Sequence, residues 1–390
     1  MGTGPLRVGV IGCGRRITNV LDGLRELDGD VRVAAVADPQ GAALRDKHPV
    51  LLRDADFVPD AAALLAGGSL DGVLIGTRCP LHAEMAARVA GARVPLFLEK
   101  PVGISFDQLR ALHTAWTGAP ADVVVSFPLR VSPIVKRVKE IVDAGTLGTV
   151  EHLVAFNDVP YGEGYFAGWY RNYDQVGGLF LQKATHDLDY IAYLLGSRPA
   201  VVAAMKSRRV WTGDEPFDLM CKDCRKQADC PESPFNPASM IPLEHRWKWE
   251  DNRMCLYAKD IRNEDSGQCL VEYASGVQAT YVQNFFARRN AGRRGARLYG
   301  YKATLEFDWY TSRITIHHHD RPVTETIALT GDEAHFGGDR VLCRNFLDVM
   351  RGSARSDTPL AAGIESALTC LHARASAETR TFRDVVLPSP

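Results

Sequence analysis

A glycine-rich turn between a β-branched run and a helical pattern predicts a phosphate-binding site near the start of the chain. Gly12 and Gly14 lie in this turn, after Gly9 of the preceding run. Glycines allow the backbone to turn tightly and to approach a pyrophosphate, which the N-terminus of the following helix attracts. Ile17 stands where the dinucleotide-binding motif usually has its third glycine. The order strand, turn, helix still favours a dinucleotide site over a plain tight turn.

An acidic residue on the next strand-like run bears on the choice of cofactor. Asp38 ends that run, 24 residues after Gly14. Its carboxylate can accept hydrogen bonds from the adenosine ribose hydroxyls, and it repels a 2′-phosphate. The sequence therefore predicts NAD rather than NADP. The alternative stays open because Arg15 or Arg16 could pair with the extra phosphate.

Four cysteines in a proline-rich stretch predict a metal site. Cys221, Cys224 and Cys230 lie within ten residues, and Cys255 follows further along. In a reducing compartment such spacing indicates a metal rather than disulfides, and four thiolates suit a closed tetrahedral zinc site. The zinc would order an insert that has little core of its own. An iron–sulfur cluster, or free thiols and disulfides, are the alternatives, and His245 is a weaker candidate for a fourth ligand.

Aromatic residues with an arginine precede a glycine pair in the second half of the chain. Such side chains suit a sugar ring and its hydroxyls, although loop packing explains them equally well. The candidates for a substrate contact here are Tyr161, Trp169 and Arg171. Five arginines between residues 288 and 297 suit a solvated loop, with a site for an anionic substrate or phosphate as the alternative.

Alternating strands and helices must position these residues in the first third of the chain. Strand-like runs at 6–11, 31–37, 71–76, 94–98 and 122–126 are separated mainly by helical patterns of about ten residues. This alternation indicates βαβ units and a doubly wound parallel sheet. We predict an α/β fold with a Rossmann-type nucleotide-binding domain over residues 1–126.

After residue 127 the pattern changes. A helical stretch is followed by longer alternating segments at 149–157, 267–286, 296–307 and 313–319, and two helical stretches close the chain. Alternation with few intervening helices indicates a large, open, mainly antiparallel sheet. We predict a second α/β domain over residues 127–390, for substrate binding and oligomerisation, with the cysteine-rich insert at about 212–262.

Composition excludes several classes of protein. A chain of 390 residues suggests two domains, and 46% hydrophobic and 24% charged residues are typical of globular proteins. A net charge of −1 argues against a general nucleic-acid binder. No run approaches the roughly 18 apolar residues of a membrane span. The first residues lack a signal-peptide pattern, so we expect a cytoplasmic protein without nucleic-acid or membrane partners.

Further motifs resemble a known family. Glu99-Lys100-Pro101 follows one strand, Thr77 to His82 follows an earlier strand, and Gly177-Gly178 precedes His186-Asp-Leu-Asp189. In this order and at this separation, together with the glycine turn, they resemble the glucose–fructose oxidoreductase/inositol dehydrogenase (Gfo/Idh/MocA) family. The resemblance extends over nearly the whole chain.

The resemblance implies a chemistry and an assembly. It implies hydride transfer between nicotinamide and a hydroxyl of a sugar, sugar derivative or polyol, in a homo-oligomer assembled through the C-terminal sheet. The family's lysine and histidine correspond to Lys100 and His186. A histidine suits the base that removes the hydroxyl proton, and an ammonium group stabilises the developing alkoxide. The predicted cofactor contacts are Gly12, Gly14, Arg15, Arg16, Ile17, Asp38, Thr77, His82, Glu99 and Lys100.

The chain departs from the family at one position of the site. Many members have an aspartate four residues before the histidine, where this chain has Gln182. An amide neither raises the pKa of the histidine nor transfers a proton. The neighbouring Lys183 faces either substrate or solvent. Asp187 and Asp189 are candidates to orient His186, and Asp189 is also a predicted substrate contact. The catalytic candidates are therefore Lys100, His186, Gln182 and Lys183.

Three functions fit these residues. The first is an NAD(P)-dependent sugar or polyol dehydrogenase. The second is an NAD-dependent glycoside hydrolase, which oxidises a ring carbon, eliminates the aglycone, adds water and returns the hydride. A cofactor-binding regulator without catalysis is the third, and the presence of Lys100 and His186 argues against it. The sequence does not separate the first two, since both need a hydride acceptor and a base.

Overall fold

A parallel sheet of six strands forms the first part of the fold and confirms the predicted doubly wound class. The structure, a computed structural model, describes residues 4–242, 253–330 and 334–388. The elements are β1 (Arg7–Ile11), α1 (Arg15–Leu27), β2 (Arg32–Ala37), α2 (Ala43–Lys47), β3 (Asp56–Val58), α3 (Ala61–Ala66), β4 (Gly72–Ile75), α4 (His82–Ala90), β5 (Leu96–Leu98), α5 (Phe106–Trp116) and β6 (Val123–Val125). The strand order is β3-β2-β1-β4-β5-β6. Because this order reverses between β1 and β4, the carboxyl ends of these strands form a crevice suited to a dinucleotide.

A mixed sheet of nine strands forms the second part, and it is mainly antiparallel as predicted. The elements are α6 (Pro128–Val131), α7 (Pro133–Asp143), β7 (Val150–Pro160), α8 (Gly164–Ala167), α9 (Tyr173–Val176), α10 (Leu179–Gln182), α11 (Thr185–Leu195), β8 (Pro199–Ser207), β9 (Ser266–Tyr273), β10 (Gln278–Ala287), β11 (Arg293–Gly300), β12 (Ala303–Asp308), β13 (Arg313–His318), β14 (Thr324–Ala328), α12 (Gly338–Met350), α13 (Leu360–Thr379) and β15 (Arg383–Asp384). The order is β14-β13-β12-β11-β7-β10-β9-β8-β15, and β7 and β10 are its parallel pair.

Local chemistry sets two helix boundaries. Helix α3 begins at Ala61 because the Asp60 side chain caps it by accepting the Ala63 N–H at 2.8 Å. Helices α6 and α7 are separate because Ser132 is extended between them, as favoured before Pro133.

The two C-terminal helices return to the first sheet. Helix α12 packs against α1, and Leu342 and Phe346 share a buried core with Val8 and Val10 of β1. Helix α13 packs against both α5 and β8. The cofactor side of the molecule is therefore stabilised by a segment that follows the second sheet in the sequence. Within the described ranges, no helix has the length and apolar character needed to cross a membrane.

Candidate active site

The glycine turn after β1 is shaped for close approach of a ligand. Gly12 has φ +78°, and a Cβ there would lie 2.6 Å from the Thr77 backbone nitrogen, so only glycine fits. Gly14 precedes α1, and a Cβ on it would meet only the Gly76 oxygen, at 3.9 Å. No side chain caps the first turn of α1. Its N–H groups therefore face an open cradle, as pyrophosphate binding requires.

The absence of the third glycine of the motif is compensated by a glycine that follows another strand. Ile17 is completely buried, and a Cβ on Gly76 would lie 2.1 Å from its Cγ1 atom. Gly76, at the end of β4, therefore makes room for the larger residue on α1. Ile17 packs beneath the turn rather than contacting a cofactor directly.

Asp38 is held at the edge of the crevice by backbone donors. Its Oδ2 accepts the Cys13 N–H at 2.8 Å, and its Oδ1 accepts the Gln40 N–H at 2.8 Å. These bonds orient the carboxylate beside the glycine turn, and each oxygen retains a lone pair for a ribose hydroxyl.

The two arginines of the turn have different environments. Arg16 donates to Glu99 at 3.0 Å and holds Asp339 with two nitrogens at 2.9 and 2.7 Å. Although burial opposes it, these carboxylates raise the pKa of Arg16. The guanidinium is thus already paired and ties α12 to the crevice, and Glu99 is occupied by the same pair. Arg15 is exposed.

His82 connects two loops of the crevice and is not free to contact a cofactor as predicted. Its Nδ1 lies 2.8 Å from the Pro101 carbonyl oxygen, and its Nε2 lies 3.0 Å from the Thr77 carbonyl oxygen. The ring is buried, and desolvation lowers its pKa. Thr77 itself is half-buried, and its hydroxyl donates to the Arg78 carbonyl at 3.3 Å.

Lys100 and His186 come from different domains to one place. Lys100 follows β5, and its Nζ donates to the Gln182 carbonyl oxygen at 2.7 Å, at the end of α10. Burial lowers the pKa of Lys100 to about 8. His186 lies in the first turn of α11, edge-on to Phe127 with ring centres 6.0 Å apart. Burial, with help from Lys100 and Arg294, lowers the pKa of His186 well below its usual value.

Gln182, which departs from the family pattern, and its neighbour Lys183 have different environments. The Gln182 amide oxygen lies 3.8 Å from the Cys79 sulfur, so it packs against the first domain. The Lys183 ammonium lies 5.5 Å from the centre of the Tyr165 ring. Burial and then the charge of Arg294 lower the pKa of Lys183 to about 7. The side chain of Gln182 cannot transfer a proton, whereas Lys183 belongs to the same cationic cluster as Lys100.

The two aspartates expected to orient His186 are each bound elsewhere. Asp189 is fully buried and accepts Arg130 nitrogens at distances from 2.6 to 3.1 Å, so it is a structural ion pair and not a substrate contact. Asp187 accepts two nitrogens of Arg294, each at 2.9 Å. The structure contradicts the sequence prediction for Asp189, because its carboxylate has no exposed surface and both oxygens accept Arg130 nitrogens.

The predicted substrate residues are divided between two places. Trp169 is 37% exposed and stacks on Tyr170 with ring centres 4.0 Å apart, and the Arg78 guanidinium carbon lies 4.0 Å from the centre of the Trp169 ring. Tyr161 instead receives the Arg289 N–H on its hydroxyl at 3.2 Å. Arg171 is buried against the Phe217 ring on the side of the cysteine insert, so its predicted contact with substrate is wrong.

The four insert cysteines lie together, but their side chains are not arranged as metal ligands. Cys221, Cys224, Cys230 and Cys255 line one cavity of about 20 Å³. In the described part of the chain, no group of three or more His, Cys, Asp or Glu side chains is arranged to hold a metal ion. All nine cysteines are free thiols. His245, the weaker fourth candidate, lies outside the described residues.

Sequence reasoning missed several residues of the site. Gly76 and Arg78 flank Thr77 at the end of β4, where a loop at the carboxyl edge of a parallel strand was a usable signal. Arg294 was included in a solvated basic run, yet it is buried at Asp187. No local pattern predicts that pairing, because the partners are 107 residues apart.

Comparison with known proteins agrees with this geometry. The model of an oxidoreductase family with an NAD-binding Rossmann fold, GFO/IDH/MocA, matches residues 6–127, and the model of the GFO/IDH/MocA C-terminal domain matches residues 135–306. Inositol 2-dehydrogenase of Rhizobium meliloti is 30% identical over 202 residues, which is 51% of this chain and 58% of that protein. D-apiose dehydrogenase of Paraburkholderia graminis is 29% identical over 200 residues, 50% of this chain and 51% of that protein. The matched segment thus spans between half and three fifths of these two relatives.

Solved structures share the whole fold. Levoglucosan dehydrogenase, in a complex with NADH and levoglucosan, superposes with a TM-score of 0.76 over 98% of this chain and 99% of its own, at 16% identity. An NAD-binding oxidoreductase of Klebsiella pneumoniae gives a TM-score of 0.77 over 98% and 99%, at 18% identity. At such identities the likeness concerns the fold alone.

Proposed function

Since this chain belongs to the GFO/IDH/MocA family of oxidoreductases, we propose that it transfers hydride between NAD and a hydroxyl-bearing carbon of a carbohydrate or polyol. The observation that carries the proposal is the meeting of Lys100, from the first domain, with His186 and Lys183 of the second. They lie at the carboxyl edge of the parallel sheet, on the same edge as the glycine turn and Asp38. Nicotinamide supplies the hydride acceptor when the cofactor is bound.

The chain's own residues supply the proton chemistry. With its lowered pKa, His186 is neutral near pH 7 and can accept the proton of the reacting hydroxyl. Lys100 is anchored by the Gln182 carbonyl, and its ammonium stabilises the alkoxide that develops as the proton leaves. Trp169, which is exposed, offers an aromatic surface on which a sugar ring can pack.

We propose NAD rather than NADP as the cofactor. The fixed Asp38 carboxylate repels a 2′-phosphate, and Arg16 is already paired with Glu99 and Asp339. Fluorescence titration of the wild-type protein should show tighter binding of NAD than of NADP. Tighter binding of NADP would contradict the proposal and direct attention to the exposed Arg15.

The catalytic proposal is tested by following NADH absorbance with a panel of sugars, sugar acids and polyols. Wild-type protein should reduce NAD with at least one of them, and Lys100→Met should abolish this while leaving NAD affinity unchanged. Lys136→Met is the matched control, because Lys136 is exposed and pairs only with Asp357 at the surface. Absence of NADH formation with every member of the panel, despite NAD binding, would favour a non-catalytic role.

We also propose that the four insert cysteines bind one zinc ion. Three of the sulfurs accept a backbone N–H from the residue two positions on: Cys224 from Lys226 at 3.4 Å, Cys230 from Glu232 and Cys255 from Tyr257. Such donors favour the thiolate form, which binds metals, and they oppose burial, which raises the pKa of Cys230 and Cys255 in the metal-free protein. Zinc binding then requires the four side chains to turn toward the cavity that they already line.

A buried arginine supports a negatively charged cluster in the insert. The three guanidinium nitrogens of Arg171 have no hydrogen-bond partner among the described residues. Burial lowers the pKa of Arg171 to about 10, and the charge of Cys255 opposes this effect. A zinc ion with four thiolates carries net negative charge, so it would supply the counter-charge that Arg171 lacks.

Elemental analysis tests the zinc proposal. Protein purified without chelator should contain about one zinc per chain, and Cys255→Ser should lower that content while Cys269→Ala, on β9, should not. Iron with a brown colour, or no metal in wild-type protein, would contradict it.

We propose that the outer face of the nine-stranded sheet joins copies of this chain. Met205, Leu270 and Phe286 project from β8, β9 and β10 and are 70%, 55% and 38% exposed. Register places them on one face of the sheet. Light scattering should show a dimer or tetramer that Leu270→Glu dissociates. A monomeric wild-type protein would contradict this.

A reducing compartment, such as the cytoplasm, suits this protein best. All nine cysteines are free thiols, and the insert needs four of them reduced to bind a metal. We therefore propose a cytoplasmic location. Recovery of the chain with oxidised insert cysteines from its native cells would contradict it.

A further inference from the structure

The active site contains two largely buried ammonium groups without a carboxylate partner. Among the described residues, neither Lys100 nor Lys183 has an acidic oxygen within ion-pair distance, and Lys100 instead donates to a backbone carbonyl. Buried arginines nearby are all paired: Arg16 with Glu99, Arg130 with Asp189 and Arg294 with Asp187. The unpaired positive charge of this site therefore lies at Lys100 and Lys183, where substrate would bind.

Asp187, the acid that acts on Lys183, cannot neutralise it because its oxygens are already occupied. Asp187 accepts both Arg294 nitrogens at 2.9 Å, the Asn157 amide at 2.9 Å and the Tyr281 hydroxyl at 3.0 Å. Four donors on one carboxylate leave it no further capacity for Lys183. Gln182 is neutral, and its amide oxygen faces Cys79. A buried charge in this position costs stability unless a ligand supplies its counter-charge.

On the premise of the proposed hydride transfer, we infer that the substrate is a sugar acid whose carboxylate pairs with Lys183. A uronic or an aldonic acid has this chemistry. Lys183 then determines specificity, while Lys100 and His186 act on the hydroxyl group whose carbon loses hydride. Tyr165, whose ring lies 5.5 Å from the Lys183 ammonium, forms an aromatic wall beside the carboxylate position, together with Tyr170 at 5.2 Å between ring centres.

We assign a carboxylate rather than a phosphate to this site. Phosphate sites usually combine several donors, such as guanidinium forks, helix N-termini or a lysine that acts as a point charge. In the neighbouring segment, Arg288 pairs with Glu163 and Glu232, and Arg293 pairs with Glu306 and Asp308. These two guanidinium groups are therefore engaged away from Lys183, whose single ammonium group matches a singly charged carboxylate.

The test measures binding and turnover separately. NADH-loaded protein is titrated calorimetrically with D-glucuronate, D-galacturonate and D-gluconate, with their neutral counterparts D-glucose, D-galactose and sorbitol, and with glucose 6-phosphate. NADH formation is followed in separate samples that contain the protein, NAD and the same compounds. The variants are Lys183→Met and the surface control Lys136→Met, which removes the same charge far from the ligand.

We expect at least one acid to bind about 10- to 100-fold more tightly than its neutral counterpart, the range for a hydrogen bond to a charged group. Lys183→Met should abolish that preference, and Lys136→Met should preserve it; unchanged NADH affinity shows that each variant is folded. Equal binding of acids and neutral sugars, a preference that survives Lys183→Met, or a preference for the phosphate ester would each overturn the inference. Acid binding that depends on Lys183 but gives no NADH would support the inference and count against the proposed hydride transfer.

Discussion

Replacing Lys183 by methionine should make the ligand-free protein more stable. Methionine keeps most of the side-chain length and volume and removes the charge. The pKa of Lys183 is lowered from 10.5 to about 7 by burial and by Arg294, with Asp187 acting in the opposite direction. At 1.36 kcal/mol per pKa unit, charging this amine in the folded protein near or below pH 7 costs roughly 4–5 kcal/mol as an upper limit.

The gain in stability of Lys183→Met should decrease as the pH rises. Between pH 7 and 10.5 the unfolded wild-type chain holds a proton on Lys183 that the folded chain releases, so the stability of the wild type rises with pH in this window. The variant lacks this contribution. Its advantage over the wild type should therefore shrink by about 2 kcal/mol between pH 7 and pH 9. Lys183 also lowers the pKa of Lys100. The titration of Lys100 therefore changes the stability difference between variant and wild type in the same direction.

Urea unfolding followed by tryptophan fluorescence provides the measurement, since the chain has six tryptophans. The free energies of unfolding of wild type, Lys183→Met and Lys136→Met are compared at both pH values. The Lys136→Met control should stay within about 1 kcal/mol of wild type at each, as expected for a surface ion pair. A Lys183→Met protein whose stability relative to wild type is the same at pH 7 and pH 9, or is lower at pH 7, would refute the view that Lys183 is an uncompensated buried charge.

Three further changes test other parts of the site. Gly76→Ala should destabilise the protein by about 1–3 kcal/mol and weaken NAD binding, because the new Cβ collides with Ile17 at the base of the glycine turn; unaltered melting temperature and NAD affinity would contradict this. Asp38→Ser should reduce the preference for NAD over NADP, measured as the ratio of dissociation constants, and an unchanged ratio would show that Asp38 does not contact the ribose. His186→Asn and Lys100→Met should each lower kcat by about 10²–10⁴-fold with little change in NAD affinity, and retention of full kcat in either variant would exclude that residue from proton transfer.

The sequence predicts those parts of the fold that depend on local pattern. The alternation of short apolar runs with helices predicted the parallel sheet, and Gly12 and Asp38 marked its functional edge. The replacement of the third glycine by Ile17 could not be understood from the motif alone. Its explanation is Gly76, which follows another strand and becomes a neighbour only after the sheet has formed.

Pairings between distant charged residues were beyond sequence reasoning. Asp189 stands one helical turn from His186, and that spacing predicted an orienting contact, but Arg130 occupies both of its oxygens. Arg171 stands among aromatic residues that suit a sugar, yet it turns toward the insert. Burial and partner choice at these positions depend on the packing of elements that are far apart in the chain, which no local spacing encodes.

The central claim is that the protein is a dehydrogenase, and it is tested most directly by recording hydride transfer and glycoside cleavage in one sample. Wild-type protein with stoichiometric NAD is mixed with an aryl glycoside of the sugar or sugar acid that it binds, and NADH absorbance and aglycone release are recorded together. The account predicts that NADH accumulates with oxidised sugar as the product, without release of the aglycone, and that Lys100→Met prevents this accumulation. Continuous release of the aglycone without net NADH would contradict it and identify a glycoside hydrolase that returns the hydride to its substrate.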